Sequence, residues 1–366
     1  MWAMALKEFR QLRRDRRTLA MMIVLPLVLL VVFGYAASFD VHHVRTLVVG
    51  PQAERVAAAL PEPLEPLPAR PGQGRDDAAR ALRDGDAVVA VVTAAPGAGQ
   101  PQVLVDGAEL FAARAVVAAL RQRPELPAPE VLFNPDLKTS VIMVPGLVGV
   151  ILVFVGTVIT SLGVVRERQS GTLEQLAVMP LRPRQVVAGK VLPYFGVAAF
   201  DLTVIVLVAM ALFDVPFAGS PLVFALGAAE FLLVTLGLGV LISTVSENQG
   251  QAIQLAFMTV LPQILLSGLI FPLASMPAAI RWISSVLPLT YFIQVSRGVM
   301  VRGAPLAALA RPLLLLALLG LAVFGASVAR FRRDLAPAGR RAAAGEPPAG
   351  APPAEPAAPS AEATAR

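Results

Sequence analysis

Residues 141–165 read VIMVPGLVGVILVFVGTVITSLGVV, without one charged side chain from end to end. A helix rises about 1.5 Å per residue, and a bilayer core about 30 Å thick needs about 20 apolar residues to cross it. This run is long enough. Five others have the same character: Thr18–Phe39, Val191–Phe213, Leu222–Val245, Ile253–Ala274 and Leu313–Ala329. Asp201 alone interrupts the third span in chain order, and Glu230 alone the fourth. The reading is a mainly α membrane protein with six transmembrane helices.

Composition agrees. The 366 residues carry 31 Lys and Arg against 25 Asp and Glu, a net +6, with 56% apolar and 15% charged residues. A soluble chain carries about 25% charged residues, and a disordered one combines low hydrophobicity with high net charge. Neither fits. Without cysteine there is no disulfide framework, zinc-finger cluster or thiol nucleophile. The only histidines are His42 and His43, with only Asp40 as a neighbouring ligand, so no metal site is expected. The first run is longer than the apolar region of a cleaved signal, which is about 7–15 residues. It is therefore read as a span, although Ala36-Ala37-Ser38 looks weakly like a cleavage site.

Basic residues near helix ends set orientation, because they concentrate on the cytoplasmic side. Lys7, Arg10, Arg13, Arg14, Arg16 and Arg17 precede the first span. Arg166, Arg168, Arg182, Arg184 and Lys190 lie between the second and third, and Arg330, Arg332 and Arg333 follow the last. Both termini and the loop 166–190 are thus expected in the cytoplasm. Residues 246–252 must join them despite lacking a basic side chain, and Arg281, Arg297 and Arg302 in the last external segment run against the bias.

Residues 40–138 are a different material. Val-rich runs at 45–50 and 87–93, with further candidates at 102–106 and 130–133, predict strands. Helical spacing at 53–60, 75–83 and 109–121 alternates with them, and the Pro-rich stretch 61–71 reads as a loop. Together they predict one small α/β domain inserted between the first two spans on the extracytoplasmic side. The tail, 334–366, is rich in Ala, Pro, Gly and Glu and reads as disordered. In residues 1–17, Trp2, Ala5, Leu6, Phe9 and Leu12 share one helical face, with Lys7, Arg10 and Arg13 mostly opposite. That is the pattern of an amphipathic helix lying in the headgroup plane before the first span (18–39).

The loop 166–190 reads RERQSGTLEQLAVMPLRPRQVVAGK. Thr172 followed by Gln175 fits a capping box, Pro180 stops the helix begun there, and Pro183 suits the first turn of the next. The result is a short rigid helix held at the membrane face. Equally, it is an ordinary helical hairpin loop.

These residues carry a resemblance. Glu167-Arg-Gln-Ser-Gly-Thr-Leu-Glu-Gln-Leu, Met179-Pro-Leu-Arg-Pro and Gly189-Lys-Val-Leu-Pro-Tyr resemble the cytoplasmic loop of ABC-2-type transporter permeases. Lys7-Glu-Phe-Arg-Gln-Leu with Leu25-Pro resembles the N-terminal helix and first span of these permeases, Phe133-Asn-Pro ahead of Val144-Pro-Gly-Leu their entry to the second span, and Leu287-Pro-Leu-Thr-Tyr-Phe with Arg297-Gly-Val-Met the segment before their last span. The match is to the subfamily with a large external domain between the first two spans. It implies an inner-membrane export permease, paired with a second copy or a homologous permease and driven by separate ATP-binding subunits. It further implies that ATP and magnesium bind the partner, that Glu167, Gly171, Thr172, Leu173 and Glu174 form the ATPase contact, and that the export is of the multidrug kind. A periplasmic adaptor is a further candidate partner of the external domain; membrane lipid is expected, nucleic acid is not.

The chain itself supplies no nucleotide loop. A phosphate cradle needs G-x-x-x-x-G-K-[ST], and the near match at Gly189-Lys190 has Arg184 in place of the first glycine and Val191 in place of the hydroxyl residue. No enzymatic activity of its own is expected.

An ionisable residue inside a span usually faces protein or a water path. Asp201 and Glu230 are therefore candidate pathway residues, as are Gln254 and Gln263 beside Pro262, although polar glue between helices explains the glutamines better. Residues 269–289, with three prolines, read as a broken or re-entrant external segment. Two other readings stay open: an ion-coupled secondary transporter using Asp201 and Glu230, and a membrane-anchored sensor or assembly protein.

Overall fold

The computed structural model describes residues 43–62, 64–95, 101–121, 127–170 and 183–334. The expected interfacial helix 1–17, the first span, the short helix at Thr172 and the tail from Leu335 lie outside the described residues.

The small domain comes first. Its elements are β1 (Val44–Val49), α1 (Ala53–Ala58), β2 (Leu64–Pro66), α2 (Arg75–Asp84), β3 (Val89–Val92), β4 (Gln102–Asp106), α3 (Leu110–Arg121) and β5 (Pro129–Leu132). The sheet order is β2-β1-β3-β4-β5, parallel throughout except for the antiparallel pair β3–β4. Side chains alternate between faces of a strand, and here each face has its own core. Leu47, Val49, Ala90 and Leu104 pack under Ala78, Ala81 and Leu82 of α2. Val44, Val89, Val103 and Val105 pack under Ala113 and Val116 of α3.

One reading is corrected. The stretch 61–71 holds a strand, because β2 is an edge strand and pairs along one side only. Leu67 donates to the Thr46 carbonyl (2.8 Å) and Arg70 to that of Val48 (3.0 Å). Proline has no N–H to give but is tolerated at such an edge, so three paired residues hide among prolines.

The exit from the domain is tied by Asn134, which is buried. Its Oδ1 accepts from the Lys138 amide (3.0 Å) and its Nδ2 donates to the Lys138 carbonyl (3.1 Å). Directly after this turn the chain enters α4 (Thr139–Gln169), the helix built on the decisive run.

The helical part continues with α5 (Pro183–Phe213), α6 (Pro221–Val245), α7 (Gln249–Leu266), α8 (Ala278–Ser284), α9 (Pro288–Arg297) and α10 (Leu306–Asp334). Four helices among the described residues are long and apolar enough to cross a membrane: α4, α5, α6 and α10. They match the expected second, third, fourth and sixth spans. The expected fifth span is corrected: its helix ends at Leu266 rather than Ala274, because Ser267 caps it and Gly268 turns the chain at φ +87°. Glycine adopts that left-handed conformation without steric cost. The last helix starts at Leu306 rather than Leu313 and carries Pro312 within it.

The segment 269–289 is broken, with a 3₁₀ turn at Leu273–Ser275 and the seven-residue α8. The reading of the sequence missed α9, which is mixed in character and too short to span. Every residue of α9 except Gln294 is buried. Phe292 stacks on Phe231 of α6 with centroids 4.4 Å apart.

Small residues let α4 and α6 approach closely, as expected where lipid removes the hydrophobic drive for helix pairing. A side chain at Gly239 would meet the Thr157 carbonyl oxygen at 2.9 Å and Thr160 Cβ at 2.8 Å; one at Gly156 would meet Thr235 Oγ1 at 2.8 Å. Ser327 of α10 donates to the Gly237 carbonyl of α6 (3.0 Å). That adds a cross-helix hydrogen bond.

Candidate functional site

Helix α4 has 31 residues and is therefore about 45 Å long, with a different structure at each end. At its N-terminal end sits the α/β domain. Arg114 of α3 donates to the Leu137 carbonyl (2.9 Å) and to Thr139 Oγ1 (3.0 Å). At its C-terminal end are Arg166, Glu167 and Arg168, followed by the loop that continues to Pro183.

The loop end is braced. Arg168 donates to the Ser246 carbonyl at the end of α6 (3.1 Å), and Gln249 of α7 donates to Gln169 Oε1 (2.9 Å). Asn248 caps α7 by accepting from the Gln251 amide (2.9 Å), while Gln251 Oε1 accepts from the Glu247 amide (2.9 Å). Residues 246–252 thus lie at the same end of the bundle as the last turn of α4, although they carry no basic side chain. Of the expected ATPase contact, Glu167 lies in the last turn of α4 and is partly buried. Gly171, Thr172, Leu173 and Glu174 lie outside the described residues, as do Trp2, Leu6, Phe9 and Arg13.

The domain end is clamped by charge. After α9 the chain widens into a π turn over Gly298–Arg302, ended by Gly303 at φ +63°. This turn carries Arg302 against the domain. Its Nε donates to Asp106 Oδ2 (2.9 Å) and its Nη2 to Glu109 Oε1 (2.8 Å). Asp106 is 0% exposed, and its other oxygen accepts from the Ala108 amide (2.8 Å). Burial works against the Arg302 charge, but Asp106 and then Glu109 outweigh it and hold the guanidinium above its ordinary pKa. Sequence reading missed this clamp. The one signal was an arginine on the wrong side of the charge bias; nothing local marks Asp106 as more than the end of a strand.

The four expected pathway residues are spread over three helices. Asp201 on α5 is partly buried and makes no hydrogen bond among the described residues. Glu230 on α6, Gln254 on α7 and Gln263 on α7 each keep one buried oxygen without a hydrogen-bond partner. Gln263 Nε2 donates to the Thr259 carbonyl within its own helix (3.3 Å). None of the four lines the cavity where the domain meets the helices.

These features define an integral membrane protein: long apolar helices packed through small residues, with a folded α/β domain clamped to one end. Residues 16–329 match the family described as ABC-2 family transporter protein. The chain belongs to that family, and its role is that of a transport permease. It is 30% identical over 332 residues to the probable multidrug ABC transporter permease YbhS of Escherichia coli K12, covering 82% of this chain and 88% of that one. It is 32% identical over 203 residues to the probable multidrug ABC transporter permease YbhR of the same strain, covering 56% and 55%. It is also 32% identical over 178 residues to ABC transporter G family member 20 of Dictyostelium discoideum, covering 49% of this chain and 24% of that protein.

Proposed function

We propose that this chain is the membrane subunit of an ATP-driven exporter of the multidrug kind, resident in the inner membrane with six spans, both termini and the loop 166–190 cytoplasmic. In this reading a separate ATP-binding subunit docks on residues Glu167–Glu174, ATP and magnesium stay on that subunit, and a second copy or a homologous permease completes the pathway. The α/β domain then lies on the extracytoplasmic side, where a periplasmic adaptor is a candidate partner.

One observation carries the reading: the last turn of α4 is tied to the α6–α7 turn through Arg168–Ser246 and Gln169–Gln249. A force applied at the loop therefore reaches three helices together. Because α4 continues unbroken to Thr139, the same force reaches the clamped domain. The names of the bacterial relatives support the substrate class.

The test is co-purification of the full chain with ATP-binding subunits encoded beside it, and ATP turnover in proteoliposomes with and without a drug substrate. Gly171→Pro or Glu174→Ala is expected to lower substrate-stimulated turnover at least about tenfold while the complex still assembles in detergent. Transport that persists without any ATPase, and that Glu230→Gln abolishes, would favour the ion-coupled alternative instead.

A further inference from the structure

Three arginines in the segment 281–302 oppose the charge bias, and the clamp accounts for Arg302 alone. Arg297, one turn earlier, is 9% exposed yet has no carboxylate within ion-pair distance. Its Nε donates to the Ile142 carbonyl at 3.3 Å and its Nη1 to the Gly268 carbonyl at 3.5 Å, both at or past the long end of the hydrogen-bond range. Neither acceptor is charged. Glu109 and Asp106 support the Arg297 charge only from beyond ion-pair distance and are both already bound by Arg302, which opposes it. A buried cation without a carboxylate of its own is costly, and a bound anion would offset that cost.

The surroundings point the same way. Arg297 lines a cavity of 790 Å³ between the α/β domain and the helices α4, α8, α9 and α10, with the turn after α7. Two hydroxyls in its lining, Thr290 Oγ1 and Ser267 Oγ, are buried and have no hydrogen-bond partner. Both residues are at most 3% exposed. Arg281 and Arg311 line the same cavity, and neither makes an ion pair with any described residue. The acidic lining, Glu65, Asp84, Asp86 and Glu109, comes from the domain, and Glu109 is already held by Arg302. Ile142, Leu273, Ile293 and Leu309 supply an apolar wall on the helix side. From there α10 exposes Leu306 and Leu314, giving an acyl or aromatic tail a surface to follow.

We propose that this cavity binds the phosphate or carboxylate group of an anionic amphiphile, with Arg297 as the buried cation and Thr290 and Ser267 as hydrogen-bond donors. Arg281 and Arg311 form the outer positive rim, and the apolar wall receives the first part of the tail. The site lies at the domain end of α4, remote from the loop proposed to meet the ATPase, and it needs no nucleotide. Its failure would leave the export reading standing, and the reverse.

The experiment uses the purified full-length chain in nanodiscs of neutral phosphatidylcholine, titrated with a fluorescent phosphatidylglycerol and, separately, with the same label on phosphatidylcholine. The acidic probe is expected to bind at least about tenfold more tightly. Arg297→Gln should remove that preference, and Thr290→Val, which keeps the shape of the side chain, should weaken it severalfold. Should Arg297→Gln not fold, Arg281→Gln at the rim serves as the charge variant, with a smaller loss. Competition by millimolar inorganic phosphate would assign the site to the acid group alone; competition only by anionic drug-like amphiphiles or acidic lipid would assign it to the whole amphiphile. Equal binding of the two probes, or a preference that survives in Arg297→Gln, Thr290→Val and Arg281→Gln alike, would overturn the proposal.

Discussion

The α/β domain and the helix bundle both bury apolar side chains but expose opposite kinds. In the domain, strands place Leu47, Leu104 and Val105 inside, and no large apolar side chain among the described residues 43–137 is strongly exposed. In the bundle, Thr157, Thr160, Thr235 and Ser243 are 0% exposed, while Leu192, Leu212 and Leu321 are 71–72% exposed. The first arrangement is what water selects and the second what lipid selects. The difference teaches that one chain solves folding in two solvents. The clamp at Arg302 is where the two solutions are joined.

The largest expected effect breaks that join. Arg302→Met leaves Asp106 buried without its cation, which typically costs about 3–5 kcal/mol. Hydrogen exchange should then accelerate at Asp106–Leu110 and at the start of α10, while amides in the middle of α4 keep their protection. Unchanged exchange at both sites would mean that the domain is held by something other than this ion pair.

Next comes the water-selected core. Leu104→Ala, at a fully buried site under α2, is expected to destabilise the domain by about 3 kcal/mol. Limited proteolysis should cut within residues 43–137 at lower temperature than in the parent, with the helical part intact.

The smallest effects sharpen the contrast within the bundle. Gly239→Val forces a side chain into the Thr157 backbone and should lower stability by about 2 kcal/mol. Leu212→Ala, removing as many carbons from an exposed position as Gly239→Val adds to a buried one, should cost under about 0.5 kcal/mol. Thermal melts in one detergent give both numbers. Comparable losses would show that the exposed face of α5 is packed against protein in the native assembly.

Much of this organisation can be read directly from residues. The lengths of the apolar runs predict α4, α5, α6 and α10, because a predominantly apolar run of about 17–25 residues has few other stable fates. Alternating Val-rich runs predict β1, β3, β4 and β5 nearly to the residue. The edge strand β2 was hidden because three paired residues among prolines leave no period to detect. Helix α9 was hidden for a related reason: ten residues in which Thr290, Gln294, Ser296 and Arg297 interrupt the apolar ones are too short and too mixed to announce a buried helix.

The candidate site was less legible. Asp201 and Glu230 drew notice because charge is rare in a span, but the structure gathers its strongest charges elsewhere, on Asp106, Glu109, Arg297 and Arg302. Arg302 is 196 positions from Asp106 along the chain, and no local pattern links residues that far apart.

Among the described residues, the amino-acid order alone therefore determined which segments suit lipid, four of the five strands and the long helices, as well as the family, since all of these rest on composition and short-range spacing. Only the tertiary structure decided which apolar faces are buried, that α9 sits inside the bundle, and which arginines meet carboxylates and which meet a cavity. Those outcomes depend on distances between segments remote in sequence, and packing, not periodicity, sets such distances.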